Sequence, residues 1–137
     1  LDRDADVHMT NSKGLTALHR AAEEGHTEMA KLLIQKGARL ECRIPKTGRT
    51  PLYCAVERNQ IKLIELLVSL GADINTNDKA GRTPLHHTLQ HGSLDMTRVL
   101  LNLGADLTEV DMEGVTPLMT AAGRGRAGPT PRRPARI

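Results

Sequence analysis

Three histidines fall within six positions of GRTPLHHTLQHG, residues 81–92: His86, His87 and His91. His87 and His91 are four apart, the spacing that sets two imidazoles on one face of a helix, where they could hold a transition metal. Such a site needs three or four convergent ligands, and no third is evident beside this pair. A Gly-rich phosphate loop, a nucleophile elbow and a His-Glu-x-x-His pair are all missing, and the acidic residues are scattered. No metal, no cofactor and no enzymatic activity are therefore expected. The use of the histidines turns on whether the same phrase occurs elsewhere in the chain.

It occurs four times. GLTALHRAAEEGH from Gly14, GRTPLYCAVERNQ from Gly48, GRTPLHHTLQHGS from Gly81 and GVTPLMTAAGRGR from Gly114 align at steps of 34, 33 and 33 residues. Thr50, Thr83 and Thr116 each precede a proline, the pattern of an N-cap hydroxyl followed by a ring at the first helical position. Gly25, Asn59, Gly92 and Gly125 stand where that short helix must stop in a left-handed conformation. A second helix follows in the first three copies. Its apolar face is read as Met29/Leu63/Met96, Leu32/Leu66/Val99 and Leu33/Leu67/Leu100, with opposite charges three apart outside: Glu28–Lys31, Lys62–Glu65 and Asp95–Arg98. Gly37, Gly71 and Gly104 close it. One such unit cannot bury its own apolar face, whereas stacked neighbours can.

In its period, its G-x-T-P-L-H phrase and its G-A-D-x-N closure, the stretch from residue 4 to about 126 resembles the ankyrin repeat. That resemblance implies an all-α solenoid of stacked helix-turn-helix units joined by β-hairpin loops. The expected organisation is the end of a preceding repeat over 1–13, repeats over 14–47, 48–80 and 81–113, and a partial repeat over 114–126. A disordered Pro/Arg-rich tail is expected over 127–137, where prolines and arginines occupy the core slots of a second helix. The resemblance also gives His86, in the slot of His19, Tyr53 and Met119, a structural role beside the threonine, and sets His87 and His91 on the concave face. Ile44-Pro45 departs from the usual aspartate at the turn, and Val56, Thr88 and Leu89 replace alanines, which should widen the stacking there.

Composition bounds the rest. With one tyrosine, no phenylalanine and no tryptophan in 137 residues, the core must be built in thin aliphatic layers. Cys42 and Cys54 form no metal or disulfide pattern, so an intracellular setting, cytoplasmic or nuclear, is expected. No apolar run reaches 18 residues and no leader heads the chain, so neither a membrane nor secretion is expected. A start at Leu1 reads as a fragment or processed product. Of the 19 basic residues, five arginines lie in residues 123–137 without any acid, which leaves 14 basic against 16 acidic residues in a near-neutral body. That balance, without stacking aromatics, argues against nucleic acid. Pro131 to Arg136 fits P-x-x-P-x-R, an extended proline ligand, although a solvated terminus is the favoured reading.

What remains is recognition of another protein. The resemblance implies contact through hairpin tips and variable positions of the first helices: Lys13, Arg20, Lys46, Arg49, Arg58, Lys79, Arg82, His87 and His91. The row Lys13, Lys46, Arg49, Lys79 and Arg82 suggests a partner with an acidic segment. An adaptor or scaffold module is expected, and the alternative is the substrate-recognition part of an enzyme assembly such as a ubiquitin ligase. Leu67 to Asn75, with Asp73-Ile74 just ahead, resembles the ankyrin substrate of the intracellular asparaginyl hydroxylase. Asn75 is the candidate position, with His8, Cys42 and Thr108 in the equivalent slots. A monomer, or weak self-association through uncapped ends, is expected.

Overall fold

The structure, a computed structural model, describes residues 9–91 and 93–124. Seven short helices run through them: α1 (Ala17–Glu24), α2 (Thr27–Gln35), α3 (Pro51–Glu57), α4 (Ile61–Ser69), α5 (Pro84–His91), α6 (Leu94–Asn102) and α7 (Pro117–Arg124). Helices of this length are marginal alone in water, so each must be held at its ends and by its neighbours.

Threonine holds the starts of the odd-numbered helices. Thr16 and Thr50 lie in extended backbone, and their hydroxyls accept from the N–H groups of His19 and Tyr53. Thr83 and Thr116 do the same for His86 and Met119. Gly25 (φ 74°) and Asn59 (φ 58°) turn the chain out of α1 and α3 as expected, while Gly92 and Gly125 lie outside the described residues. The even-numbered helices share another ending. Gly37, Gly71 and Gly104 have φ of 98°, 106° and 101°, which lets the N–H of Ala38, Ala72 and Ala105 reach back to Leu33, Leu67 and Leu100, each at 2.9 Å. The Gly-Ala pair is thus a Schellman closure, with glycine in the left-handed position and alanine tucked under the last turn.

The odd helices stack side by side, α1 on α3 on α5 on α7, and α2, α4 and α6 each pack behind their own partner. Leu18, Leu52 and Leu85 fill the seam from the inner layer, and Leu33, Leu67 and Leu100 fill it from the outer layer. Each such leucine contributes about 2 kcal/mol by leaving water. The expected outer-helix face needs one correction. Leu32, Leu66 and Val99 are only half-buried, and Ala30, Ile64 and Thr97 are buried instead, because the seam is centred one residue further round the helix. Met29 is 39% exposed while Leu63 and Met96 are buried, since no earlier helix among the described residues covers it.

Two further departures are local. Of the three expected outer ion pairs, only Lys31–Glu28 closes among the described residues, at 3.4 Å. The packing of α3 on α5 is less extensive than that of α1 on α3 or α5 on α7, in keeping with Val56 and Thr88 buried at that junction where α1 has alanines. Leu118 occupies the slot of Leu18, Leu52 and Leu85 yet is 62% exposed, because no second helix follows α7 among the described residues. The tail expected over 127–137 lies outside them.

Candidate functional site

Four fingers project from the stack, at Asn11–Leu15, Ile44–Arg49, Asp78–Arg82 and Asp111–Val115. Each is closed by a backbone bond from its first N–H to its last carbonyl, at 2.9–3.0 Å. In three fingers the first side chain organises the turn: Asn11, Asp78 and Asp111 each accept from the N–H groups two and four residues on. Ile44 has no such oxygen, and its finger is one residue longer. Its carbonyl takes the Gly48 N–H at 2.6 Å, and Arg43 props the turn from below by donating to the Gly48 carbonyl at 2.9 Å and to that of Asn77.

Behind each finger the slot of His19, Tyr53, His86 and Met119 ties one unit to the next. The Thr83 N–H donates to Nδ1 of His86 at 3.0 Å, so the ring proton sits on Nε2 and is donated to the Val115 carbonyl at 2.7 Å. His19 repeats this, taking the Thr16 N–H at 3.1 Å and donating to the Arg49 carbonyl at 3.1 Å. Burial holds the His19 pKa below the ordinary imidazole value. Tyr53 serves the same junction with its hydroxyl, which donates to Asp78 at 3.2 Å. Met119 is exposed and bridges to no later unit among the described residues. His86 is therefore structural, as its place in the phrase implies.

His87 and His91 face the groove on the other side of α5. Their ring centroids are 4.2 Å apart, and the two residues line, with Glu57, Arg58 and Thr88, a groove of about 590 Å³. Burial, and next the charge of His91, depress His87 to about 4, so it is neutral near pH 7. No group of three or more His, Cys, Asp or Glu is assembled among the described residues. The Thr88 hydroxyl and the Nε of Arg49, both buried, have no hydrogen-bond partner among the described residues, so what the groove presents to solvent is Arg58, His87 and His91.

The row of five basic residues is not uniform. Lys13, Lys46 and Lys79 are exposed at the tips. Arg49 instead turns inward, paired with Glu57 and 3.9 Å from Asp78, with its guanidinium 5.0 Å from the centre of the Tyr53 ring. Arg82 donates to Gln90, and Arg20 pairs with Glu24 at 2.9 Å. The expectation that Arg49 and Arg82 extend the cationic row is corrected: half-buried beside the groove, each finds an acceptor eight residues on, at the end of the inner helix. Sequence reasoning missed Glu57, Asp78 and Tyr53 as members of this cluster. The recurring spacing of eight from finger to inner helix, Arg49 to Glu57 and Arg82 to Gln90, is the signal that could have found it. Burial raises the Glu57 carboxyl above its ordinary value although Arg49 pulls it the other way. Burial also pushes the Cys54 thiol up to about 12, so it is not a ready nucleophile.

Asn75 is half-buried, and its side-chain oxygen accepts the Asp106 N–H of the next unit at 2.8 Å. One unit earlier, Glu41 performs this task by accepting the Asp73 N–H at 2.8 Å. The equivalence of Cys42 with Asn75 is therefore corrected to Glu41, because the extra residue lies in the finger and not before it.

A family model described as ankyrin repeats (3 copies) matches residues 1–78 and 71–128. The chain is 41% identical over 70 residues to mouse B-cell lymphoma 3 protein homolog, covering 51% of this chain and 16% of that protein. It is 49% identical over 63 residues to mouse Ankyrin repeat and SOCS box protein 6, covering 46% and 15%. It is 42% identical over 53 residues to the NF-kappa-B inhibitor cactus of Drosophila melanogaster, covering 39% and 11%. The chain thus spans about a sixth or less of these relatives. No helix among the described residues is long and apolar enough to cross a membrane.

Proposed function

The chain belongs to the ankyrin-repeat family, and from that premise we propose that it is a non-catalytic protein-protein interaction module of adaptor or scaffold type. Ankyrin repeats generally mediate binding between proteins and are generally not catalysts. Its partner is a protein with an acidic segment, met by the hairpin tips Lys13, Lys46 and Lys79 and by Arg20, Arg58, His87 and His91 of the inner helices. Arg49 and Arg82 act from within the groove wall and not as free tips. The observation that carries this reading is the groove itself. Exposed Arg58 and His91 and half-buried His87 line a concave surface that the core does not require.

The test is partner capture by the intact chain and by two sets of variants. Lys46→Glu, Lys79→Glu and His87→Glu on the tips and groove should abolish capture, whereas Glu28→Lys and Glu65→Lys on the outer helices should leave it intact. The opposite pattern overturns the reading.

A second reading, substrate recognition within a larger enzyme assembly such as a ubiquitin ligase, is favoured by the similarity to Ankyrin repeat and SOCS box protein 6. Residence inside the cell, in cytoplasm or nucleus, accords with the free thiols of Cys42 and Cys54. Exposed Leu118 and Met119 at one end support weak self-association of an otherwise monomeric chain. Asn75 stands as the hydroxylation candidate, and a gain of one oxygen in intact mass, mapped to that residue after enzyme treatment, is its test.

A further inference from the structure

Neighbouring fingers are laced together by one backbone bond each: the Lys79 N–H donates to the Thr47 carbonyl at 2.9 Å, and the Met112 N–H to the Ala80 carbonyl at 2.9 Å. Each donor directly follows the first residue of its finger, and each acceptor directly precedes the turn glycine. At the junction of the first two fingers the donor position is Pro45 and the acceptor is the Lys13 carbonyl. The register is the same: a β-carbon on Gly48 would meet the Lys79 nitrogen at 2.9 Å and one on Gly81 the Met112 nitrogen at 2.8 Å, while one on Gly14 would meet Cδ of Pro45 at 2.5 Å. Proline has no N–H to give. The lacing is therefore broken here, and no donor among the described residues reaches the Lys13 carbonyl.

A groove of about 1150 Å³ opens beside this break, running along both fingers down to Arg20, Cys54 and Arg58. Its charges are unequal. Arg20 pairs with Glu24 and Arg49 with Glu57, whereas Lys13, Lys46 and Arg58 close no ion pair among the described residues, and the only carboxylates lining the groove are Glu23 and the already paired Glu57. The sole aromatic ring near it, Tyr53, is buried, so no platform exists for stacking a base.

We propose that the unlaced junction between the first and second fingers is where the partner docks, and that it takes an extended acidic peptide. A backbone N–H of that peptide supplies the donor that Pro45 lacks, pairing with the Lys13 carbonyl, and its carboxylates meet Lys13, Lys46 and Arg58. This rests on the protein-binding reading and narrows it from the whole finger row to one junction.

The experiment pans a phage library of random linear peptides on the full chain, then measures the enriched peptides by fluorescence polarisation. Acidic peptides should be enriched. Their affinity should fall roughly tenfold or more in Lys13→Glu/Lys46→Glu. It should fall as far when Ile44→Asp is combined with deletion of Pro45, which makes a five-residue finger able to lace to the first. In Lys62→Glu, an exposed charge reversal on α4 away from both fingers, it should change less than about twofold.

Thermal unfolding by circular dichroism shows that each variant is folded, and the shortened finger should melt no lower than the parent. Enriched peptides that ignore both first-junction changes but are lost in Lys79→Glu or His87→Ala overturn the proposal and leave the protein-binding reading standing. Failure to enrich any peptide class overturns both. Displacement of the peptides by an oligothymidine at equal or lower concentration overturns the choice of an acidic peptide over nucleic acid.

Discussion

His86 spends both ring nitrogens inside the protein, on Thr83 and on the Val115 carbonyl of the next unit, whereas His87, one residue later, leans into the groove against His91. The same side chain thus serves two regions with different physics. At the junctions between units a ring is fully buried and each nitrogen has a fixed partner, so its worth is counted in stability. In the groove the rings are partly wet and their hydrogen-bonding capacity is incompletely used, so their worth is counted in what they can still contact. Adjacent positions on one helix reach these opposite environments because a step of one residue turns the side chain by about 100°.

The sharpest way to break this contrast is to remove each ring in turn. His86→Ala should cost about 3 kcal/mol in urea denaturation, because it opens a cavity and strands the Thr83 N–H and the Val115 carbonyl. His87→Ala should cost less than about 1 kcal/mol. Equal losses would erase the distinction. The fingers allow a second comparison. Gly81→Ala should cost about 2 kcal/mol, since its β-carbon would meet the Met112 nitrogen at 2.8 Å in a backbone of φ 78°. Gly114→Ala should cost about 1 kcal/mol, because φ of 80° is similar but nothing lies within 4 Å.

Tyr53→Phe keeps the ring and removes only the bond to Asp78, so about 1 kcal/mol should be lost, a third of the effect at His86. The smallest effect is expected from protons. His87 is held near 4 by burial, and an unfolded imidazole titrates near 6.5. Its contribution is therefore complete above pH 6.5 and is lost as pH falls towards 4, because the unfolded chain takes up the proton first. His19 acts in the same direction. The urea midpoint should drop between pH 7 and pH 5, and less so in His87→Gln; a midpoint that rises on acidification would contradict the placement of both rings.

The helix ends were legible because their chemistry is local. A threonine before a proline, and a glycine before an alanine, act over four or five residues of one strand of chain, and they do the same thing at Thr50, Thr83, Gly71 and Gly104. The histidine slot was legible as structural through its recurrence. The Arg49–Glu57–Asp78 cluster was not, because Asp78 reaches it only when the third finger stacks on the second. Formal charge alone made Arg49 a tip cation, whereas a half-buried guanidinium beside a carboxylate has no reason to point outwards. Glu41 was hidden by an indel: counted back from Gly48 it falls one place out of step with Asn75, and counted forward from Gly37 it falls into step.

Tyr53 is the chain's one tyrosine, and there is no tryptophan. Every ultraviolet emission signal of the protein therefore originates at a single boundary, the one between the second and third fingers. A fluorescence melt will report the parting of that boundary and remain blind to fraying at either end, while far-ultraviolet dichroism sees all the helices at once. Divergence between the two curves would measure, without any label, how far the units come apart independently.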